Sequence, residues 1–194
     1  MRDYRRKLPH WQPDDVCFFV TWRLSGSLPF QKLLAASDCS SGREFVIADR
    51  TLDQASSGPT WLRDPRIADI VVKALLAGDD ERKFFSLFAW TIMPNHVHVL
   101  MRPKVPVPIL MRWLKGSTAR KANLLLGRGG KSFWQDESYD HWVRSQREFD
   151  RIRAYIEHNP VKAGFVRSPD LWPWSSATRK SIERFLAGET ACPT

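Results

Sequence analysis

The chain has 194 residues, 43% of them hydrophobic, enough to bury a core in one domain and too many for a disordered polymer. Thirty Lys and Arg against twenty-one Asp and Glu leave a formal charge of +9, which suits a polyanionic partner, nucleic acid first and an acidic membrane surface second. Cys17, Cys39 and Cys192 stand too far apart for a disulfide framework or a thiolate metal site, and no apolar run approaches the ~20 residues of a membrane span.

The basic start, Met1 to Lys7, runs into Pro9, His10 and Trp11 instead of an apolar stretch, so a soluble, cytoplasmic protein is expected. Val16 to Leu24 alternates Val16, Phe18, Val20, Trp22 and Leu24 with Cys17, Phe19, Thr21 and Arg23, the period of a strand buried on at least one face. Residues 25–63 are punctuated by Gly26, Gly42, Gly58 and several Ser, and carry only the outline of a short strand or helix around Arg43 to Gln54. Asp64-Pro65 then offers an N-cap with Pro at N1. Ile67, Ile70, Val71, Ala74 and Leu75 follow at helical spacing, and Gly78 is expected to end the helix. Phe84 to Thr91 is apolar enough for a strand covered on both sides, and Pro94 and Asn95 supply a turn before His96 to Met101 runs back as the second arm of a hairpin.

Pro106 and Pro108 precede a helix expected over Ile109 to Leu126, with Leu110, Leu114, Thr118, Ala122 and Leu125 facing inward and Gly127-Arg-Gly-Gly closing it. Ser132 to Arg144 reads as a last strand with an irregular middle. Ser145 and Glu148 have capping-box spacing and open a helix through Phe149, Ile152 and Ile156. That helix should stop near His158 or Asn159, because proline disfavours α geometry at the residue before it and Pro160 follows. Gly164 closes a further turn, and Trp172-Pro-Trp174-Ser-Ser leads into an amphipathic C-terminal helix containing Ile182, Phe185 and Leu186. The order β-α-β-β-α-β is the split βαβ, ferredoxin-like layout, an α+β fold on an antiparallel sheet. A single domain is expected, with a core of about 14–166 and an extension over 167–194.

The chemistry-bearing residues concentrate in three places. His96 and His98 lie two apart on an expected central strand and so project from one surface, half of a divalent-metal site. Between Arg102 and Lys131 there are eight basic residues and no acidic one, a bias that points to phosphate contacts, with Arg112, Lys115, Arg120 and Lys121 as the helical candidates. On the helix opened by Ser145, Tyr155 and Asn159 are one turn apart, on one face. Asn159 has an amide oxygen to offer a metal held by the histidines, which would polarise a phosphodiester beside the Tyr155 phenol. Tyr4 and Tyr139 compete as nucleophiles, and His141 and His158 as ligands. Trp11, Trp113, Trp142, Trp172 and Trp174 are candidate stacking surfaces for unpaired bases, and Arg144 and Trp172 complete the expected DNA-binding set.

Three blocks sharpen this reading. Met-Pro-Asn-His96-Val97-His98-Val99-Leu, Arg153-Ala-Tyr155-Ile-Glu-His-Asn159-Pro-Val-Lys-Ala-Gly164-Phe-Val and Trp172-Pro-Trp-Ser-Ser, in this order, resemble the REP-associated tyrosine transposases, single-tyrosine HUH transposases of small insertion sequences. The resemblance extends from Tyr4-Arg-Arg to Ser176. It implies a DNA transposase that cleaves and rejoins single-stranded hairpin DNA through a 5′-phosphotyrosine with Mg²⁺ or Mn²⁺, with no nucleotide cofactor. Carried over by motif, His96 and His98 are the HUH pair, Tyr155 the nucleophile and Asn159 the third ligand. It also implies a monomer acting in cis and a place near the nucleoid, although spacing alone leaves a dimer acting in trans open. The rival expectations are a domesticated binder of structured single-stranded nucleic acid that does not cut, and a metal-dependent hydrolase in which water attacks.

Overall fold

The structure, a computed structural model, describes residues 16–27, 52 and 58–179. Tyr4, Trp11, nearly all of the Arg43–Gln54 segment, and the helix expected around Ile182, Phe185 and Leu186 lie outside these residues. In chain order the elements are β1 (Phe18–Arg23), a 3-10 turn (Trp61–Arg63), α1 (Pro65–Asp80), β2 (Phe85–Ile92), β3 (His96–Pro103), α2 (Val107–Leu125), β4 (Tyr139–Trp142), α3 (Gln146–Lys162) and a second 3-10 turn (Pro169–Leu171). The four strands form one antiparallel sheet in the order β2-β3-β1-β4, the expected ferredoxin-like arrangement, with β3 and β1 in the middle.

Strand alternation sorts the side chains into two cores. Phe18, Val20, Trp22, Val97, Val99 and Met101 point to one face and are covered by Ile67, Val71 and Leu75 of α1 and by Leu110 and Leu114 of α2. Phe19, Ala89 and Leu100 point to the other, where Ile152 and Ile156 of α3 cover them. Burying each large apolar side chain is worth roughly 1.5–3 kcal/mol, so both faces of the inner strands are held tightly. The third face-forming element is the Trp172–Ser176 stretch, which closes the open edge of β2. The Ile92 N–H donates to the Trp174 carbonyl, the Trp90 N–H to Ser176 Oγ, and Thr91 bridges to Ser175. No helix among the described residues is long and apolar enough to cross a membrane.

Helix starts follow local chemistry closely. Asp64 accepts from the Arg66 N–H at 3.0 Å, with Pro65 at the first helical position. Two helix ends and one inward face depart from expectation. Gly78 lies inside α1, where a Cβ would come within 2.5 Å of the Phe85 ring; its small size serves a close helix–strand approach, and the helix continues to Asp80. On α2 the inward stripe continues in steps of four from Ala122 to Leu126, which packs on the core, and leaves Leu125 49% exposed. On α3, Pro160 is buried within the helix, which runs on to Lys162. The missing proline N–H removes one bond, but the Asn159 carbonyl still accepts from the Ala163 N–H and the Pro160 carbonyl from the Phe165 N–H, so the last turn survives. Gly164, at φ +76°, is the actual exit.

Two further corrections concern the run into α3. The final strand shrinks to Tyr139–Trp142, with Trp134 making an isolated bridge to Leu24. The carbonyls of Gln135, Asp136 and Glu137 turn toward the Lys115 ammonium at 2.8, 2.9 and 3.4 Å. The capping box is half formed: Ser145 Oγ accepts from the Glu148 N–H, but Glu148 returns its carboxylate to the Arg144 N–H and to His141.

Candidate active site

His96 and His98 sit on β3, an inner strand, and point to the face covered by α3. Their Nε2 atoms approach to 2.9 Å, and the outward nitrogen of each ring has a fixed partner. His96 Nδ1 is 2.7 Å from Asn95 Oδ1, and the Asn95 amide nitrogen donates to the Leu52 carbonyl at 3.0 Å, which orients the amide. An amide oxygen only accepts, so His96 Nδ1 carries the proton and the neutral ring presents a lone pair at Nε2. His98 Nδ1 lies 2.7 Å from Thr21 Oγ1, a partner that can give or take a proton. With the His98 proton on Nδ1, toward Thr21, both Nε2 lone pairs would converge on a cation placed between them.

From the opposite layer, α3 brings Asn159 to the pair, its carboxamide nitrogen 3.4 Å from His98 Nε2. A half-turn of the carboxamide exchanges its nitrogen for its oxygen at that point. One turn earlier, the Tyr155 ring meets the His98 ring edge-on, centroids 5.9 Å apart, and packs on Phe19 at 6.1 Å. The Lys162 ammonium lies 4.3 Å from the Tyr155 ring centroid, a cation–π contact. Both imidazoles and Asn159 are 0% exposed.

This donor set fits a divalent cation. Neighbouring ligand atoms around an ion with ~2.1 Å bonds are about 3 Å apart, close to the 2.9 Å between the two Nε2 atoms. Outer oxygens fix both rings, the usual support of metal-binding histidines. The described residues contain no group of three or more His, Cys, Asp or Glu that could hold a metal, so among them a third protein ligand would be of another type, and Asn159 stands beside the pair.

The remaining expected residues scatter. Arg112, Arg120 and Lys121 are exposed on α2, which packs on the sheet face away from the histidines. Lys115 is half-buried on the carbonyls of residues 135–137, so its charge is spent inside the fold. Arg144 lies 4.9 Å over the Trp142 ring. Trp172 stacks on Phe165 and gives its indole N–H to the Ile92 carbonyl at 3.0 Å, and Trp113 meets Phe84 edge-on. Among the competitors, Tyr139 also flanks Phe19, at 6.1 Å, whereas His141 is occupied with Glu148 at 3.0 Å and His158 is exposed on the back of α3. Nothing in the sequence marks Thr21, which only the β1–β3 register places. Asn95 and Lys162 had signals, one as neighbour of His96 and the other two turns beyond Tyr155 on the same helix.

Residues 64–159, from the N-cap of α1 to Asn159, match the family model described as Transposase IS200 like. Over that span, just under half of the chain, the sequence is similar to the IS200-like transposases. It is 29% identical over 96 residues to the REP-associated tyrosine transposase of Escherichia coli K12, covering 49% of this chain and 56% of that protein. A relative from Haemophilus influenzae is 29% identical over 106 residues, with 60% of its length covered, so the chain spans little more than half of these relatives. A solved REP-associated tyrosine transposase bound to a REP hairpin shares the fold, with a TM-score of 0.58 at 19% identity over 100% of this chain and 93% of that one.

Proposed function

We propose that this IS200-like chain is a single-strand DNA transposase that cuts and rejoins hairpin-bearing DNA through a covalent bond to Tyr155. One observation carries the reading: α3 brings a phenol and a carboxamide, one turn apart, to two imidazoles whose Nε2 atoms already converge. His96, His98 and Asn159 would hold Mg²⁺ or Mn²⁺, which polarises a phosphodiester and stabilises charge growing on it. Tyr155 supplies the nucleophile. Its oxygen attacks phosphorus, the P–O3′ bond breaks, and a 5′-phosphotyrosine and a free 3′-OH result. The ester keeps the energy of the broken bond, so a 3′-OH can reverse the step with no nucleotide cofactor.

Lys162, held over the Tyr155 ring, fixes the ring's orientation and adds positive charge where a phosphate must arrive. Arg112, Arg120 and Lys121 lie on the far side of the sheet from the scissile position, so they would take the phosphates of flanking DNA rather than the reacting one. Hairpin DNA as partner rests on the relatives named above, and nucleoid association follows from it.

A second reading has one observation in its favour. The imidazole pair has no solvent exposure, as expected of a protein that binds structured single-stranded DNA and does not cut it. Incubation with hairpin oligonucleotides and Mn²⁺, followed by a denaturing gel, separates the two. A covalent protein–DNA species supports the transposase reading. Tight binding with no adduct in Mn²⁺ or Mg²⁺ supports the non-cutting binder.

A further inference from the structure

Across the two inner strands, Arg23 stands opposite His96 as Thr21 stands opposite His98. Directly opposed residues of an antiparallel pair leave the sheet on the same side, and the 2.7 Å contact between Thr21 and His98 shows which side that is. Phe19, Thr21 and Arg23 therefore succeed one another along the histidine face. Tyr155 packs on Phe19, at one end of this row, and Arg23 is at the other, with His98 at the level between them and His96 level with Arg23. Strand β1 lies outside the span that the family model matches.

Arg23 is poorly explained as a structural residue. It is half-buried, and its side-chain bond among the described residues is a long one, from Nη1 to Ser27 Oγ at 3.4 Å. No described carboxylate pairs with it, and loss of solvent alone pulls its pKa below the ordinary arginine value. Withdrawing a charge from water without a partner costs stability, and a methionine would fill the same space at less cost. The guanidinium is also the side chain whose fixed fork of donors best fits two oxygens of one phosphate.

We infer that Arg23 binds the scissile phosphodiester from the leaving-group side, opposite Tyr155. This rests on the strand-cleavage reading above. In an in-line displacement the Tyr155 oxygen, having released its proton to solvent, forms the new bond to phosphorus. The P–O3′ bond breaks on the far side, and the 3′-oxygen departs with the electron pair and takes a proton from water. Arg23 lies on that far side, where negative charge grows, and its fork would also hold the non-bridging oxygens in line.

The test compares wild type, Arg23→Met and Arg23→Lys on a hairpin oligonucleotide that wild type cuts. Arg23→Met should slow adduct formation at saturating DNA by about 10²–10³-fold, and Arg23→Lys should recover part of that rate. Thermal melting guards against misfolding: removing a desolvated charge that has no carboxylate partner among the described residues should leave Tm unchanged or raise it. Binding is then measured in chelator, with and without a neutral methylphosphonate at the cleaved position. Wild type should lose about as much affinity from the neutral linkage as from Arg23→Met, and Arg23→Met should lose nothing further. Equal rates for wild type and Arg23→Met, or a neutral linkage that weakens both proteins alike, would overturn the role of Arg23 and leave strand cleavage standing. A lower Tm with unchanged discrimination would assign Arg23 to the fold. A wild type that forms no adduct on any hairpin removes the cleavage reading and this inference with it.

Discussion

Thr21 and His98 meet across the two inner strands, the threonine oxygen 2.7 Å from Nδ1 of the imidazole. The contact fixes the ring, and with Thr21 accepting from Nδ1–H the Nε2 lone pair would be free for a cation. Thr21→Val keeps the shape and removes the oxygen. Mn²⁺ affinity measured by calorimetry should fall 10–100-fold, and Thr21→Ser should keep most of it. Unchanged affinity in Thr21→Val would mean that the ring is held by packing alone.

Two lysines of α2 should behave differently. Lys115 donates to the carbonyls of Gln135, Asp136 and Glu137, which are part-buried or exposed and can turn to water, so Lys115→Met should cost about 0.5–1.5 kcal/mol in urea unfolding. Lys121 is exposed, and Lys121→Ala should leave stability within about 0.5 kcal/mol. If it contacts a phosphate, the salt slope of hairpin binding drops by about one. An unchanged slope places Lys121 off the DNA path.

Glu148 links β4 to the start of α3. Burial pushes its carboxyl up, but the Arg144 N–H and His141 outweigh that and hold it below the usual glutamate range. A carboxyl depressed in the folded state adds stability above its unfolded pKa and loses it as pH falls through the folded one. Glu148→Gln should therefore cost about 1–2 kcal/mol at neutral pH, with the gap from wild type closing in acid below the ordinary glutamate range. A gap that persists at acid pH would assign the loss to packing.

Gly78→Ala sets two effects against each other. Alanine in a helix interior gains about 1 kcal/mol over glycine. Here its Cβ would come within 2.5 Å of two Phe85 ring atoms, and Phe85 is fully buried with nowhere to swing. Overpacking of this kind costs about 1–3 kcal/mol, so the variant should be less stable in urea melts. A stabilised variant would show that the ring can yield.

What was legible in the sequence was whatever local spacing decides. Alternation revealed β1 and β3, Asp64-Pro65 and Ser145 marked their helix starts, and the two-residue gap put His96 and His98 on one face. Helix ends were harder, because packing overrode local signals. Pro160 sits inside α3 at the loss of one bond to the preceding turn, while the Asn159 and Pro160 carbonyls keep donors of their own, and Gly78 sits inside α1 to make room for Phe85. The neighbours of the imidazoles were readable only in part. Asn159 and Tyr155 share a helix face, so their grouping follows from spacing. Thr21 and Arg23 reach the pair through the register of two strands more than seventy residues apart in sequence, which no local pattern encodes. The basic run of α2 shows the limit of counting charges, since one of its lysines turned inward to cap a loop.

Tyr155 is the residue proposed to bond to DNA. Mass spectrometry of a nuclease-trimmed, protease-digested adduct tests it most directly. A nucleotide-bearing peptide that contains Tyr155 is expected, absent when Tyr155→Phe is incubated with the same hairpin and Mn²⁺, although that variant still binds within a few-fold. An adduct that persists in Tyr155→Phe, or one that maps to Tyr139, would contradict it.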